Sequence, residues 1–198
     1  MTKHLPEDVR RNQILDAARK CFIEKGYFPT RMEDVAKEAQ LSKGGIYFHF
    51  EGKQQVFEAL VQKEYDDSVT FLTQLSKEIG SYRELFEKLG SYYLDFFRQR
   101  PDYPRFFLVM AEMAGRDESV RGMLVGIQKQ YTQLLAQILQ NGIDTGALKP
   151  MDPEAMATLL KGILNAIEAY SAIGVDIEMD RLLSAGMMLI TGGLLRNS

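Results

Sequence analysis

The hydrophobic positions of this 198-residue chain recur at the spacing of an α-helix along most of its length. In the first quarter, this periodicity predicts a helix from Val9 to Lys25, a second that begins near Arg31, and a short third from about Lys43 to Phe48. Gly26 is expected to end the first helix in a left-handed conformation. Thr30-Arg-Met-Glu33 has the pattern of a capping box that would start the second helix.

The segment from Glu33 to Phe50 has the pattern of a helix-turn-helix, a unit that places its second helix in the major groove of DNA. Ile46 and Phe50 are expected to point inward. Two adjacent glycines lie on the opposite face, and each costs roughly 1 kcal/mol in a helix interior relative to alanine. Their small size favours close approach to another surface. The predicted outer face consists of Lys43, Gly44, Gly45, Tyr47 and His49.

This segment resembles the DNA-binding domain of the TetR family of transcriptional regulators. The match covers about a quarter of the chain in one fixed register. The family usually has glycine in the turn where this chain has Gln40, so we expect either that Gln40 adopts a left-handed conformation or that the turn shifts slightly. The matching residues are Ile14-Leu-Asp-Ala-Ala18, Phe22, Gly26-Tyr27, Thr30, Asp34-Val-Ala36, Glu38-Ala39, Leu41-Ser-Lys-Gly44, Ile46-Tyr47, Phe50 and Lys53.

The resemblance implies contacts with double-stranded DNA from the second and third helices and their flanks. We expect base-edge contacts from Lys43, Gly44, Gly45 and Tyr47. Phosphate contacts are expected from Thr30, Arg31, Tyr47, His49 and Lys53.

From Lys53 onward the pattern predicts six further helices. Ser81-Tyr-Arg-Glu84 is a second capping box, and Asp152-Pro153 is an N-cap followed by proline. The predicted helices are Lys53 to Glu78, Ser81 to Arg98, one that ends near Gly115, Glu118 to Asn141, Pro153 to Ile173, and Glu178 to Leu195. We therefore predict an all-α protein with a helix-turn-helix domain in residues 1–52 and a helical effector-binding and dimerisation domain in residues 53–198.

The last two predicted helices each carry a broad apolar face and small residues that permit close helix approach. Two such helices from each of two chains would form a four-helix interface, as the family resemblance implies. The alternative is that these faces complete the core of one chain. The expected interface residues are Leu159, Gly162, Ile163, Ala166, Leu183, Met187, Ile190 and Leu194.

The middle of the chain is rich in aromatic and methionine side chains. Such a stripe is often plain core, but helical bundles also hold ligands between their helices. Asn165 and Glu168 interrupt an otherwise apolar helix, where they would either orient a ligand or lie exposed. The predicted pocket is mostly apolar and is lined by Tyr93, Phe97, Met110, Met113, Tyr131 and Asn165.

The formal net charge of −3 does not exclude DNA binding, because a sequence-specific protein needs only a local positive face. Residues 1–60 carry ten Lys and Arg against nine Asp and Glu, so the acidic excess lies in the rest of the chain. A single cysteine, no apolar run long enough for a membrane span and no secretory pattern predict a cytoplasmic protein. No phosphate loop, metal-ligand spacing or nucleophile elbow is present, so we expect neither enzymatic activity nor a cofactor.

Together these features predict a homodimeric regulator, a repressor, that binds a palindromic operator and is released by a small, mostly apolar effector. The two half-sites are expected roughly 34–36 Å apart, because a two-fold axis relates the recognition helices. The alternative is a helical protein-interaction module whose helix-turn-helix no longer reads DNA.

Overall fold

A computed structural model describes residues 6–78 and 80–195 of the chain. Within these residues the secondary structure consists of nine α-helices and an isolated bridge between Leu148 and Leu195. The helices are α1 (Glu7–Lys25), α2 (Met32–Glu38), α3 (Lys43–Tyr47), α4 (Lys53–Lys77), α5 (Tyr82–Gln99), α6 (Tyr103–Arg116), α7 (Glu118–Asp144), α8 (Pro153–Ala172) and α9 (Met179–Gly193). The all-α prediction is confirmed, with helix ends within a few residues of those expected.

Side-chain caps account for several of these helix starts. The Ser81 hydroxyl accepts a hydrogen bond from the backbone N–H of Glu84 at 3.1 Å and starts α5, as predicted. The Asp152 carboxylate accepts from the N–H groups of Glu154 and Ala155, both at 3.0 Å, and starts α8. These bonds satisfy donors that have no partner within the first turn of a helix.

The predicted capping box at the start of α2 is wrong by one residue. Arg31 is the N-cap, and its backbone N–H donates to the Asp34 carboxylate at 2.8 Å. Thr30 instead points inward, and its hydroxyl is 2.7 Å from the Gly26 carbonyl oxygen and 3.2 Å from that of Cys21. Thr30 therefore joins α2 to the end of α1 and does not cap a helix.

The chain divides into two compact units. Unit 1 contains Met1–Asp67 and Leu108–Arg121, and unit 2 contains Ser68–Phe107 and Gly122–Ser198. The helices α4, α6 and α7 each contribute residues to both units. None of the helices in the described part of the chain is both long and apolar enough to cross a membrane.

The core of unit 1 forms around α1. Phe22 of α1 contacts Tyr27 and Phe57, with ring centroids 5.4 and 5.8 Å away. Ile14 and Val35 of the same unit are completely buried. Edge-to-face ring pairs add stabilisation beyond the area they bury. This packing fixes α2, which in turn supports α3.

The turn between α2 and α3 depends on the backbone of Gln40. Its φ angle is +54°, so the predicted left-handed conformation is confirmed. The following N–H, that of Leu41, donates to the Ala36 carbonyl at 2.9 Å and ends α2. Among non-glycine residues in the described ranges, Gln40 alone has a positive φ.

We expect Gln40→Gly to stabilise unit 1, because glycine adopts a positive φ without the steric cost of a Cβ atom. The gain should be about 0.5–1 kcal/mol in the free energy of unfolding. Urea denaturation would measure it. Gln40→Ala keeps the Cβ atom and should bring no such gain. Equal stabilisation by both variants would contradict the assigned conformation.

Candidate DNA interface and ligand cavity

Three contacts hold α3 in place within unit 1. The Ser42 hydroxyl accepts a hydrogen bond from the Gly45 N–H at 3.1 Å, and Ile46 is completely buried. On α1, the Arg11 guanidinium donates to the carbonyl of His49 at 3.0 Å and lies 4.3 Å above the ring of Phe50. The cap therefore fixes the start of this five-residue helix, and Ile46 and the contacts with Arg11 attach its end to the core.

The face of α3 that is turned away from this core is accessible. Lys43 and Gly44 are exposed, and a Cβ atom added to Gly44 would meet nothing within 4 Å. Tyr47 is 44% exposed and Phe48 is 83% exposed. Sequence reasoning missed Phe48, although its position two residues after the inward-pointing Ile46 was a sufficient signal for an outward side chain.

Lys43 is held by an ion pair with Glu33 of α2. The hydrogen bond with Glu33 raises the pKa of the Lys43 ammonium, which stays charged. Both side chains are more than half exposed, and exposed pairs of this kind contribute little free energy. A nearby DNA phosphate or guanine edge can therefore compete for Lys43.

Gly45 and His49 are only partly accessible. A Cβ atom on Gly45 would lie 3.3 Å from the Ser42 hydroxyl, so the absence of a side chain leaves room for the cap. The Nδ1 atom of His49 is buried without a hydrogen-bond partner. Arg31, at the start of α2, is exposed.

Two of the predicted phosphate contacts are corrected by the structure. Thr30 is buried, and its hydroxyl already bonds within the protein. Lys53 is half-buried, and its ammonium donates to the carbonyl oxygens of Tyr27 at 2.7 Å, Phe28 at 3.1 Å and Thr30 at 2.8 Å. Burial lowers the pKa of Lys53. All three ammonium hydrogens are thus used to hold the loop between α1 and α2.

A cavity of about 510 Å³ lies within unit 2. Its walls come from α5, α7, α8 and α9 and are almost entirely apolar. Of the predicted lining residues, Tyr93, Phe97 and Tyr131 do line it. The Tyr93 hydroxyl donates to the Tyr131 hydroxyl at 2.7 Å, and burial raises the pKa of Tyr131 to about 12.

Three predicted lining residues lie elsewhere. Met110 and Met113 are buried in unit 1, because α6 is divided between the units after Phe107. Asn165 is not part of the cavity wall; its side chain is half-buried, with the Oδ1 atom inaccessible and without a hydrogen-bond partner. Lys161 of α8 was not among the predicted site residues. It is buried, and its Nζ atom lies 5.5 Å from the centre of the Tyr131 ring.

The apolar face of α8 that was predicted for dimerisation is exposed. Leu159, Gly162, Ile163 and Ala166 all lie on it. An added Cβ atom at Gly162 would meet nothing within 4 Å. Such a face of large and small apolar side chains suits helix packing against a second copy.

The predicted interface residues at α9 are less exposed than their neighbours: Leu183, Met187 and Ile190 are half-buried and Leu194 is buried. Leu194 is 8% exposed, whereas the neighbouring face carries Leu189, which is 75% exposed. The inward residues line the cavity and are Leu183, Met187, Ile190 and Leu194. The more exposed residues are Leu182, Ala185, Met188 and Leu189, and of these Leu182, Ala185 and Leu189 also line the cavity. Apolar residues surround α9 on nearly all sides, so periodicity did not identify the face turned to the core.

Two family models match the chain. The model described as bacterial regulatory proteins, tetR family, matches residues 14–60, which include α2 and α3. The model described as tetracyclin repressor-like, C-terminal domain, matches residues 91–185, which include much of the cavity wall.

Individual proteins agree with these matches. The chain is 29% identical over 164 residues to YfiR of Bacillus subtilis (strain 168), named an uncharacterized HTH-type transcriptional regulator, with 80% of this chain and 77% of YfiR covered. It is 26% identical over 195 residues to the HTH-type transcriptional regulator UidR of Escherichia coli (strain K12), with 95% and 94% covered.

The fold also occurs among solved structures. The transcriptional regulator FadR from Bacillus subtilis, in complex with stearoyl-CoA, superposes with a TM-score of 0.78 at 21% identity and covers 92% of this chain and 98% of its own. From the helix-turn-helix, the helical arrangement and both family models, we conclude that this chain belongs to the TetR family of DNA-binding transcriptional regulators.

Proposed function

We propose that the protein is a homodimeric repressor that binds a palindromic operator and leaves it when a small, mostly apolar effector binds. The outward face of α3 carries this proposal, because Lys43, Tyr47 and Phe48 are accessible on a helix whose other side is buried. As a regulator of transcription it would act in the cytoplasm, without enzymatic activity of its own.

The proposed DNA contacts divide by chemistry. Base edges in the major groove would be contacted by Lys43, Tyr47 and the backbone at Gly44 and Gly45. Phosphates would be contacted by Arg31, Tyr47 and His49, and Phe48 adds an apolar surface for thymine methyl groups. Thr30 and Lys53 are left out, because their polar atoms bond within the protein.

The proposed dimer uses the exposed apolar faces of α8 and α9. Leu159 and Ile163 of α8, and Leu182 and Leu189 of α9, are all exposed in the single chain. Burying such a face against a second copy is favourable, at roughly 25 cal/mol per Å² of apolar surface. The resulting two-fold axis would set two half-sites roughly 34–36 Å apart.

The proposed effector would bind in the cavity of unit 2 and change the position of α4. This helix begins in unit 1, directly after the helix-turn-helix, and continues into unit 2. Binding weakens the complex with DNA only if the effector prefers the conformation that does not bind the operator. Coupling of this kind typically amounts to about 1–3 kcal/mol.

Selection from a randomised duplex pool tests the proposal. The protein is mixed with the pool, the retained duplexes are sequenced, and the complex is sized by sedimentation. A recovered palindrome bound by a dimer supports operator recognition. A featureless pool with weak, salt-sensitive binding would favour the protein-interaction alternative.

Tyr47→Ala should raise the operator Kd roughly tenfold to a hundredfold, the range for loss of one direct base contact. Because the side chain is substantially exposed, the unfolding midpoint should stay near that of the wild type. Fluorescence anisotropy with a labelled operator measures the Kd. Phe28→Ala removes a similarly exposed ring of unit 1 outside α3 and serves as the control. Wild-type affinity in Tyr47→Ala would contradict the assignment of α3 to the groove.

Lys53→Met should lower the free energy of unfolding by about 1–3 kcal/mol, because three carbonyl oxygens lose a charged donor. The dependence of operator affinity on salt concentration should keep its slope, since no phosphate contact is lost. Denaturation and salt titrations measure the two effects. Lys63→Met, which removes a surface ion pair with Asp16, is the control and should change stability less. A slope lower by about one unit in Lys53→Met would instead indicate that Lys53 does contact a phosphate.

Gly162→Leu should weaken the dimer and leave the folded single chain intact, since the added side chain meets open space in the single chain. Analytical ultracentrifugation over a dilution series measures the change. Gly126→Leu places the same side chain on an exposed glycine of α7, where an added Cβ atom also meets nothing within 4 Å, and should remain dimeric. An unchanged dimer in Gly162→Leu would move the interface away from α8.

A further inference from the structure

The last two helices bury few of their apolar side chains within the single chain. No residue of α9 is buried, and the buried residues of α8 are Ala157, Lys161 and Glu168. A helix with so many apolar residues normally turns them to a core and keeps polar residues on its outer face. Much of the apolar surface of α8 and α9 therefore remains in contact with water in the single chain.

The cavity of unit 2 is partly open on the side that these two helices form. Buried residues of α5, such as Phe86 and Tyr93, make up one part of its wall. Leu159 is 59% exposed and Leu189 is 75% exposed, yet both belong to the wall as well. The exposed wall residues of α8 and α9 are Leu159, Ile163, Leu182, Ala185, Leu189 and Gly193. The apolar space is thus not enclosed by one chain.

The open side of the cavity coincides with the proposed dimer face. Leu159 and Ile163 of α8, and Leu189 of α9, belong both to that face and to the cavity wall. Two other residues of these helices, Gly162 and Met188, are exposed and do not line the cavity. A second copy that packs on this face therefore also covers the open side of the cavity.

The composition of the face favours a second copy as the molecule that covers it. Residues 162–167 and 182–193 contain no charged side chain, so the face has nothing that would select a charged partner. A two-fold interface must be complementary to itself, and large side chains of one copy then need open space on the other. Leu159 and Leu189 supply the large side chains, whereas Gly162 and Gly192 leave open space.

We propose that the second copy closes the effector cavity, so that an apolar effector binds the dimer more tightly than it binds the single chain. In the single chain, an apolar molecule in the cavity would keep part of its surface in water. In the dimer, α8 and α9 of the partner remove that surface from water, which is favourable. This inference rests on the proposed effector role of the cavity and on the proposed dimer face.

The same coupling acts on the association of the two chains. Binding free energies are reciprocal, so a ligand that prefers the dimer strengthens the dimer by the same factor for each site that it fills. An effector therefore does not release the operator by separating the two chains. Release takes place within an intact dimer, in agreement with the proposed change in the position of α4.

N-phenyl-1-naphthylamine, an uncharged apolar dye that fluoresces more strongly in apolar surroundings, serves as the probe. The full chain is titrated with the dye at protein concentrations below and above the dimer dissociation constant, which sedimentation measures. The dye should bind the dimer roughly tenfold more tightly, within the range typical of coupling between two sites. Saturating dye should lower the dimer dissociation constant about a hundredfold, because both sites of the dimer contribute.

Two substitutions disrupt the face without changing the cavity wall. Gly162→Leu and Met188→Glu lie at exposed positions outside the wall, and each should give a folded single chain that binds the dye roughly tenfold more weakly. Gly126→Leu on α7 is the matched control and should keep both the dimer and the affinity. Leu94→Trp fills the cavity from α5 and should weaken dye binding in a protein that stays dimeric. Circular dichroism checks the fold of each variant.

Several results would overturn the proposal. One is a dye affinity that stays the same when the wild-type dimer dissociates. Another is wild-type dye affinity in a folded, monomeric Gly162→Leu or Met188→Glu variant. An unchanged dimer in both of these variants, or unchanged dye binding in a folded Leu94→Trp variant, would also contradict it. A protein that is monomeric at every concentration would overturn it together with the proposed dimer.

These measurements contain no DNA, so operator selection tests the proposed function separately. A selected palindrome, with equal dye affinity in dimer and single chain, would leave the repressor standing and reject closure of the cavity by the second copy. Dye binding that depends on the dimer, in a protein that selects no palindrome, would do the reverse.

Discussion

Everything that the helix-turn-helix can do depends on the attachment of a helix that is not stable by itself. α3 has five residues, two of them glycine, and an isolated helix of this length does not persist in water. Burial of Ile46, the Ser42 cap and the hydrogen bond from Arg11 to the His49 carbonyl compensate for that weakness. The opposite face can then stay exposed, with Phe48 in water, because its position is already determined.

Unit 2 uses one helix for three different surfaces. Lys161 and Glu168 of α8 are buried, Leu160 and Ile167 line the cavity, and the exposed Leu159 and Ile163 belong both to the cavity wall and to the proposed dimer face. Filling the cavity therefore acts on the same helix that presents the proposed dimer face. A ligand bound there can change both the packing within one chain and the association of two chains, because α8 takes part in both.

Sequence patterns predicted the helices and their caps well, because these depend on local chemistry. Ser81 and Asp152 capped their helices, as expected from residues close in the chain, and Gln40 adopted the left-handed turn, one of the two outcomes that the family resemblance implied. Predictions that concerned side-chain partners were less successful. Thr30 and Lys53 have the polar atoms that a phosphate contact needs, but these atoms donate hydrogen bonds to carbonyl groups of the loop between α1 and α2.

The sequence by itself determined the all-α class and the register of the helix-turn-helix, since both follow from periodicity and fixed spacing, and its matching residues indicated the family. Tertiary structure decided which side of each helix is turned to the core. Apolar residues surround the axis of α9, so only packing distinguished exposed Leu189 from the buried C-cap residue Leu194. On α8, only burial showed that Glu168 and Asn165 have acceptor atoms without donors, because desolvation depends on neighbours distant in the chain.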